Sequence, residues 1–129
     1  MIDGDIAGMA RKLVATQRQG AEHQEETAYR SLCEGLPVLL RTAGLARTVM
    51  FLAAKKKSGA EYAAVLDHMQ MQLHEAGVCG DMKKSDLEVW VTSTGRNAAE
   101  YRHVSTFAFR VAYWHKRLAQ ALLRKKGEQ

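Results

Sequence analysis

A helical repeat of apolar side chains near the end of the chain constrains the fold most strongly. Between residues 98 and 125, apolar or aromatic side chains recur at every third or fourth position. At about 100° per residue, this spacing places them in one stripe along a single helix. The stripe consists of Tyr101, Val104, Ala108, Val111, His115, Leu118 and Leu122. The pattern predicts that residues 98–125 form the longest helix of the protein, with one buried face.

The rest of the chain is also punctuated like a set of helices. It contains one proline, Pro37, and its β-branched residues are scattered, which favours helix throughout. Pro37 is expected to break or kink the chain between a helix over 21–33 and a shorter one over 37–44. Gly20, Gly44 and Gly77 are expected to end helices. Capping residues that begin helices are expected at Asp3 or Asp5, Ser58, Ser85 and Asn97. We predict an all-α fold: a single compact bundle of about six helices with a long C-terminal helix, in one domain over residues 1–129.

The composition is that of a folded, basic protein. Charged residues make up 26% of the 129 residues and hydrophobic ones 47%, and 19 Lys and Arg against 14 Asp and Glu give a formal charge of +5. This balance makes a polyanion a reasonable partner class. The start of the chain lacks the pattern of a signal peptide, and the longest uncharged apolar run, residues 49–54, is too short to span a membrane. Cys33 and Cys79 lie in no metal-binding or CxxC spacing, so two unreactive thiols in a reduced, cytoplasmic setting are expected.

The side of the last helix opposite the stripe is strongly basic. No acid lies between Arg102 and Gly127. The face collects the cations Arg102, Arg110, Lys116, Arg117 and Arg124 with the aromatic residues Phe109 and Tyr113. One interpretation is a solvated face whose two aromatics lie under a neighbouring helix. The other is a surface that follows phosphates, in which cations release counterions and aromatics stack on exposed bases without reading their sequence.

A second basic segment, residues 36–57, leaves the same alternatives open. Its leucines and Phe51 are expected to form a buried helical hairpin around the Gly44 turn. Arg41 and Arg47 lie on either side of this turn, and both can point away from the apolar face. The segment closes on Lys55, Lys56 and Lys57. Cations at a helix C-terminus complement the helix dipole, but three in a row exceed that need, so contact with a polyanion is predicted here too.

No arrangement of residues in the sequence indicates catalysis or metal binding. His68 and His74 are six positions apart, which puts them on different faces of a helix. His115 lies within the apolar stripe, where a hydrogen-bonded core histidine is the commoner occupant. The acids around His23, among them Glu26, indicate a solvated helix face. No nucleotide-binding, zinc-protease or nucleophile-elbow motif occurs. We therefore predict no catalytic site, no metal and no cofactor.

Two alternative functions can be considered from the residues alone. The first is a stand-alone, sequence-nonspecific nucleic-acid-binding or regulatory protein that uses the Gly44 turn as a helix-turn-helix. Residues 45–54, which would then form the recognition helix, are too apolar to lie in a DNA groove. The second is a small helical enzyme with a dispersed active site, which a turnover assay against RNA with metal would reveal.

Two segments resemble the small α-helical subunit of type III-B CRISPR–Cas effector complexes, the Cmr (RAMP module) complexes. The first, residues 29–52, reads YRSLCEGLPVLLRTAGLARTVMFL, and the second, residues 101–119, reads YRHVSTFAFRVAYWHKRLA. Both are patterns of packing and charge rather than catalytic signatures, and their order and separation also match. Phe107 stands where the family tends to have an acid, His115 where it tends to have leucine, and Arg47 where an uncharged polar residue is usual.

The resemblance implies a non-catalytic role in an RNA-targeting complex guided by a CRISPR RNA. Members of the family stack head to tail as the minor filament, beside the repeated backbone subunit, and line the path of the target RNA with basic residues. The implied partners are the other Cmr complex subunits, CRISPR RNA, target RNA and further copies of the chain, with no membrane. Arg41, Arg102, Lys116 and Arg117 match basic positions of the family, whereas Arg47, Lys55, Lys56, Lys57 and Arg110 are nucleic-acid-binding candidates from charge and position alone.

Overall fold

Every regular element in the described part of the protein is an α-helix. The computed structural model describes residues 3–19, 23–79, 87–93, 97–125 and 127. The helices are α1 Asp3–Gln19, α2 His23–Ala43, α3 Leu45–Lys55, α4 Ala60–Ala76, α5 Leu87–Thr92 and α6 Ala98–Leu122. The predicted all-α bundle of about six helices with a long last helix is confirmed. None of the described helices has the length and apolar character needed to cross a bilayer.

Helix α6 organises the packing of the bundle. Its main neighbours are α2 and α1, and it also contacts α4. The predicted stripe is its buried side, where Val104, Ala108, Val111 and His115 are removed from solvent and the other members are half-buried. Helix α2 runs antiparallel to α6, because Glu26 bonds to Arg124 at one end and Arg41 lies over Phe109 at the other. The apolar periodicity of α6 thus predicts the core correctly.

Helix α2 continues through Pro37, where the sequence predicted a break or a kink, so the chain does not break there. The boundary expected near Cys33 and the separate helix over 37–44 are therefore wrong. Pro37 lacks the N–H that would bond to the carbonyl of Cys33, and an interior proline costs a helix about 3 kcal/mol. Burial opposes this cost, since Leu36 and Leu40 are only 1% and 7% exposed. Because full burial of one leucine stabilises by about 1.5–3 kcal/mol, packing outweighs the local penalty.

Four further helix ends were predicted from a capping residue or a glycine in the sequence. Asn97 caps α6, because its side chain accepts a hydrogen bond of 2.7 Å from the N–H of Glu100. Gly77 ends α4 in the left-handed conformation, at φ 70°. Both predictions are confirmed. The signals at Gly20 and Ser85 lie outside the described residues.

The start of α4 differs from the predicted capping box. Its N-cap residue is Gly59 rather than Ser58, and no side chain caps it with a hydrogen bond. The carboxylate of Glu61 folds back over Gly59, so that a Cβ at this position would collide with it. Position 59 therefore favours glycine, because the Glu61 carboxylate occupies the space in which the Cβ of any other residue would lie.

A side chain from α6 fixes the start of α3. Gly44 joins α2 to α3 at φ 85°, a conformation that favours glycine, and supplies no side chain to cap α3. The N–H of Ala46 instead donates to the hydroxyl of Tyr101, 2.8 Å away. The ring of Tyr101 also stacks on Trp90 of α5, with 6.3 Å between ring centres. Tyr101 therefore positions both α3 and α5 against α6.

Helix α6 ends at Leu122 rather than at the predicted Lys125. Leu123 leaves the helix with φ −110° and ψ 152°. Arg18 of α1 donates to the carbonyl of Leu122, and Arg30 of α2 donates to that of Leu123, each over 2.9 Å. These bonds satisfy carbonyls that the end of a helix leaves without partners. Side chains from the first two helices thus determine where the last one stops.

Candidate nucleic-acid interface

Three of the predicted cations lie over aromatic rings of α6, and one of them is Arg110, with 6.0 Å between its guanidinium carbon and the centre of the Phe107 ring. Arg41, near the end of α2, lies over Phe109 with 5.1 Å between its guanidinium carbon and the ring centre. Arg117 lies in the same way over Tyr113, at 5.4 Å. A guanidinium over an aromatic face is attracted by the quadrupole of the ring. We call Arg41, Phe109, Tyr113, Lys116 and Arg117 the α2–α6 surface.

The α2–α6 surface is open to solvent. Arg41 and Arg117 are exposed, and Tyr113 is 43% exposed. Phe109 and Lys116 are half-buried, and Phe109 packs against the core. The interpretation that places both aromatics under a neighbouring helix therefore describes Phe109 in part and does not describe Tyr113. The surface combines positive charge from two helices with one accessible ring.

The other cations of α6 have different surroundings. Arg102 is exposed at the start of the helix. Arg110 donates two hydrogen bonds, of 3.1 and 2.7 Å, to the carboxylate of Asp3 in α1. Both partners are well exposed, so this pair stabilises the fold by at most about 1 kcal/mol. Arg124 is bound to Glu26 and belongs to the fold rather than to an open surface.

The basic residues of α3 and of the turn after it form a separate group. Arg47 in the first turn of α3 and Lys55, Lys56 and Lys57 at its end are all exposed. Lys56 forms an ion pair of 3.3 Å with Glu88 of α5. The structure therefore places Arg41 against α6, whereas Lys56 of the lysine run contacts α5.

Helix α3 also exposes apolar side chains that the sequence placed in the core. Phe51 was expected in the buried hairpin but is 38% exposed, with its ring edge-on to Tyr62. The buried positions of α3 are Leu45, Thr48, Val49 and Leu52, which share one face. Phe51 lies off that face, which is why the expectation for this residue is wrong.

A chain of buried polar side chains joins α1, α2, α4 and α6. The hydroxyl of Tyr29 lies 2.7 Å from Nδ1 of His68 and 3.2 Å from Nδ1 of His115. Nε2 of His115 bonds to the amide oxygen of Gln72, and the Gln72 amide nitrogen donates to the carbonyl of Ile6 over 3.2 Å. The prediction that His115 is a hydrogen-bonded core residue is confirmed. No pattern in the sequence indicated its hydrogen-bond partners, which come from α2 and α4.

The donor and the acceptor of each hydrogen bond in this network follow from the orientation of the Gln72 amide. Because the amide nitrogen of Gln72 donates to Ile6, its oxygen accepts from the Nε2–H of His115. Nδ1 of His115 is then an acceptor for the Tyr29 proton, and we assign the Nδ1–H of His68 as the donor to the Tyr29 oxygen. Burial and, secondly, His68 lower the pKa of His115 to about 3, and burial also lowers the pKa of His68. Both rings are therefore neutral in the folded protein at pH 7.

Glu26 is a buried carboxylate, so its predicted place on a solvated face is wrong. It is 0% exposed and accepts hydrogen bonds from the backbone N–H of Arg124, at 2.6 Å, and from its guanidinium, at 2.9 and 3.2 Å. Burial alone would raise the pKa of the Glu26 carboxyl, but Arg124 outweighs it and holds that pKa below its ordinary value. Glu26 precedes Tyr29 and Cys33 on the buried face of α2. This helical spacing is the signal that could have identified it.

Both cysteines lie inside the protein. Cys33 and Cys79 are buried, and burial raises the pKa of the Cys33 thiol to about 12. Within the ranges that the structure describes, no three His, Cys, Asp or Glu side chains could share a metal ion. The α2–α6 surface itself supplies cations and an accessible ring.

Comparison with known proteins identifies the family. The model of a family described as CRISPR-associated protein (Cas_Cmr5) matches residues 5–122, which run from the first turns of α1 to the end of α6. The matched range contains the whole α2–α6 surface. A comparison with curated proteins finds no match to this sequence. The chain therefore belongs to the Cas_Cmr5 family and is a CRISPR-associated subunit of the type III-B Cmr complex, as the resemblance of its two segments predicts.

Proposed function

We propose that this protein is a non-catalytic subunit that contacts RNA within the Cmr complex. Copies of the chain, each acting as one domain over residues 1–129, stack as the minor filament beside the repeated backbone subunit in the cytoplasm. Each copy touches the target RNA, or its duplex with the CRISPR RNA, through the α2–α6 surface. The observation that carries the proposal is the stacking of Arg41 from α2 and Arg117 from α6 on aromatic rings that lie one helical turn apart on α6.

A phosphate backbone is the partner that suits this surface. Each Lys or Arg that neutralises a phosphate releases condensed counterions, so binding falls as salt rises. One copy presents few such contacts and binds weakly, whereas several copies on one RNA bind together with much higher avidity. We include as flanking contacts Arg47, Lys55, Lys56, Lys57, Arg102 and Arg110, of which Arg110 exchanges its exposed bond to Asp3 for phosphate.

The proposal is tested by reversing charge on the α2–α6 surface. The double variant Lys116→Glu/Arg117→Glu should weaken capture of target RNA by the assembled complex and flatten its salt dependence. The affinity is measured by filter binding of labelled target RNA at several salt concentrations. Neither side chain is buried, so the variant is expected to fold and to join the complex.

The chain offers a matched control for this variant. Arg11 and Lys12 are adjacent, exposed cations on α1, and Arg11→Glu/Lys12→Glu makes the same change in net charge. This second variant should capture RNA like the wild type. If both variants weaken capture equally, the effect belongs to net charge, and if neither does, the α2–α6 surface does not contact RNA.

The stand-alone nucleic-acid-binding or regulatory alternative has less support. A helix-turn-helix at Gly44 would need α3 to present side chains to a groove. Instead, Leu45, Val49 and Leu52 of α3 are buried, and the helix packs on α4 and α5. Co-purification distinguishes the two functions, because only the proposed one requires the repeated backbone subunit and a CRISPR RNA to accompany the protein.

A further inference from the structure

We propose that Tyr113 stacks on an unpaired base, and that the α2–α6 surface therefore prefers single-stranded RNA to a duplex. The inference rests on the proposed contact with RNA and adds to it the kind of RNA segment bound. It also assigns a role to an uncharged residue, which reversal of charge does not test.

The surroundings of Tyr113 leave its ring available. The residue is 43% exposed, and the edge-on contact with Trp114 has ring centres 5.8 Å apart at 82°. Arg117 is the cation over the ring, and its exposed side chain also donates a hydrogen bond of 3.3 Å to the amide oxygen of Gln120. No described group forms a hydrogen bond with the Tyr113 hydroxyl. Tyr113 is thus a large ring held by its helix at the surface and not used by the core.

Cations lie on both sides of this ring along α6. Phe109, with Arg41 over it, is one turn before Tyr113, about 6 Å along the helix axis. Lys116 and Arg117 follow within the next turn. A base stacked on Tyr113 therefore has cations near the phosphate that precedes it and near the phosphate that follows it.

This combination favours an unpaired nucleotide over other polyanions. A base inside a duplex has both faces covered by its neighbours and cannot reach a tyrosine ring, whereas an unpaired base can. Grooves that bind single strands combine the same two parts, cations for the backbone and aromatic rings for the bases, without reading sequence. A guanidinium that already stacks on a ring can also move to stack on the inserted base.

The test uses the full chain in solution, titrated with a short oligouridine and followed by the backbone resonances of α6. The variant Tyr113→Leu should bind at least about fivefold more weakly, whereas Tyr113→Phe, which keeps the ring, should bind like the wild type. The same oligomer without bases should bind the wild type as weakly as the intact oligomer binds Tyr113→Leu. An RNA duplex of equal phosphate number should also bind more weakly than the single strand.

Results contrary to these expectations show whether the stacking at Tyr113 fails alone or together with the proposed function. If Tyr113→Leu or the baseless oligomer binds as tightly as its reference, or if the duplex binds best, stacking at Tyr113 is refuted. The proposed function then still stands, provided that Lys116→Glu/Arg117→Glu weakens capture by the complex. If poly-glutamate shifts the α6 resonances and oligouridine does not, the surface binds an acidic protein and both proposals fail. The absence of any α6 shift with oligouridine also overturns the stacking role.

Discussion

Mild acid should destabilise this protein before its carboxylates are protonated, because two buried histidines must remain neutral in the fold. Burial and the neighbouring His68 lower the pKa of His115 to about 3, against an ordinary value of 6.5. The pKa is lower in the folded state, so the unfolded chain binds more protons between these two values. The free energy of unfolding therefore falls as the pH decreases from about 6.5 towards 3.

The size of the effect follows from one proton. A difference of one bound proton changes the free energy of unfolding by about 1.4 kcal/mol per pH unit, so acidification from pH 7 to pH 5 removes about 2 kcal/mol through His115. His68, whose pKa is also lowered by burial, adds to this loss. The lowered pKa of Glu26 contributes only below its ordinary value of 4.5. For a domain with a net stability of roughly 5–15 kcal/mol, the histidine effect is substantial.

Urea titrations followed by far-ultraviolet circular dichroism at pH 5, 6 and 7 measure this slope. The variant His115→Leu should lose about 2 kcal/mol less than the wild type over this range, whatever its stability at pH 7. His74→Leu, at an exposed position of α4, is the control and should keep the wild-type slope. Equal losses in His115→Leu and the wild type would refute the assignment of His115 as a buried neutral group.

Two further variants test the hydrogen bonds that link helices. Tyr29→Phe leaves His68 and His115 without their shared partner and should lower the free energy of unfolding by about 1–3 kcal/mol in urea titrations. The exposed hydroxyl of Tyr113 is the control, since Tyr113→Phe should change stability by less than about 0.5 kcal/mol. Tyr101→Phe removes the acceptor for the Ala46 N–H and should cost about 1 kcal/mol, with faster hydrogen exchange at that amide. Unchanged exchange at Ala46 would argue against Tyr101 as the cap of α3.

Local and periodic features of the fold could be predicted from the sequence. The buried stripe of α6 repeats over many turns, so its direction is determined even though Tyr101 and Leu118 are only half-buried. Asn97 was identified because its capping bond joins residues three positions apart. Pro37 was misjudged because the burial that retains it in α2 comes from distant helices and outweighs a local preference.

The charged residues of the candidate site could be predicted from the sequence, but not all of the contacts that they make. The cations Arg41 and Arg117 were visible as residue types at suitable positions. The aromatic partner of Arg41 depends on the antiparallel contact of α2 with α6, whereas Arg117 and Tyr113 are four positions apart on one helix. The bond of Arg110 to Asp3 spans almost the whole chain, and no local pattern indicates it. Glu26 belonged to an acidic run, which concealed its position on the buried face of α2.

The way in which α6 ends has a consequence for the synthesis of the protein. Its last carbonyls are bound by Arg18 and Arg30, and Arg124 is held by Glu26, all across about a hundred residues of sequence. Contacts of such long range form only after nearly all of the chain has been made. Helices α1 and α2 therefore leave the ribosome with one apolar side uncovered, and they acquire their final packing only when α6 follows them out.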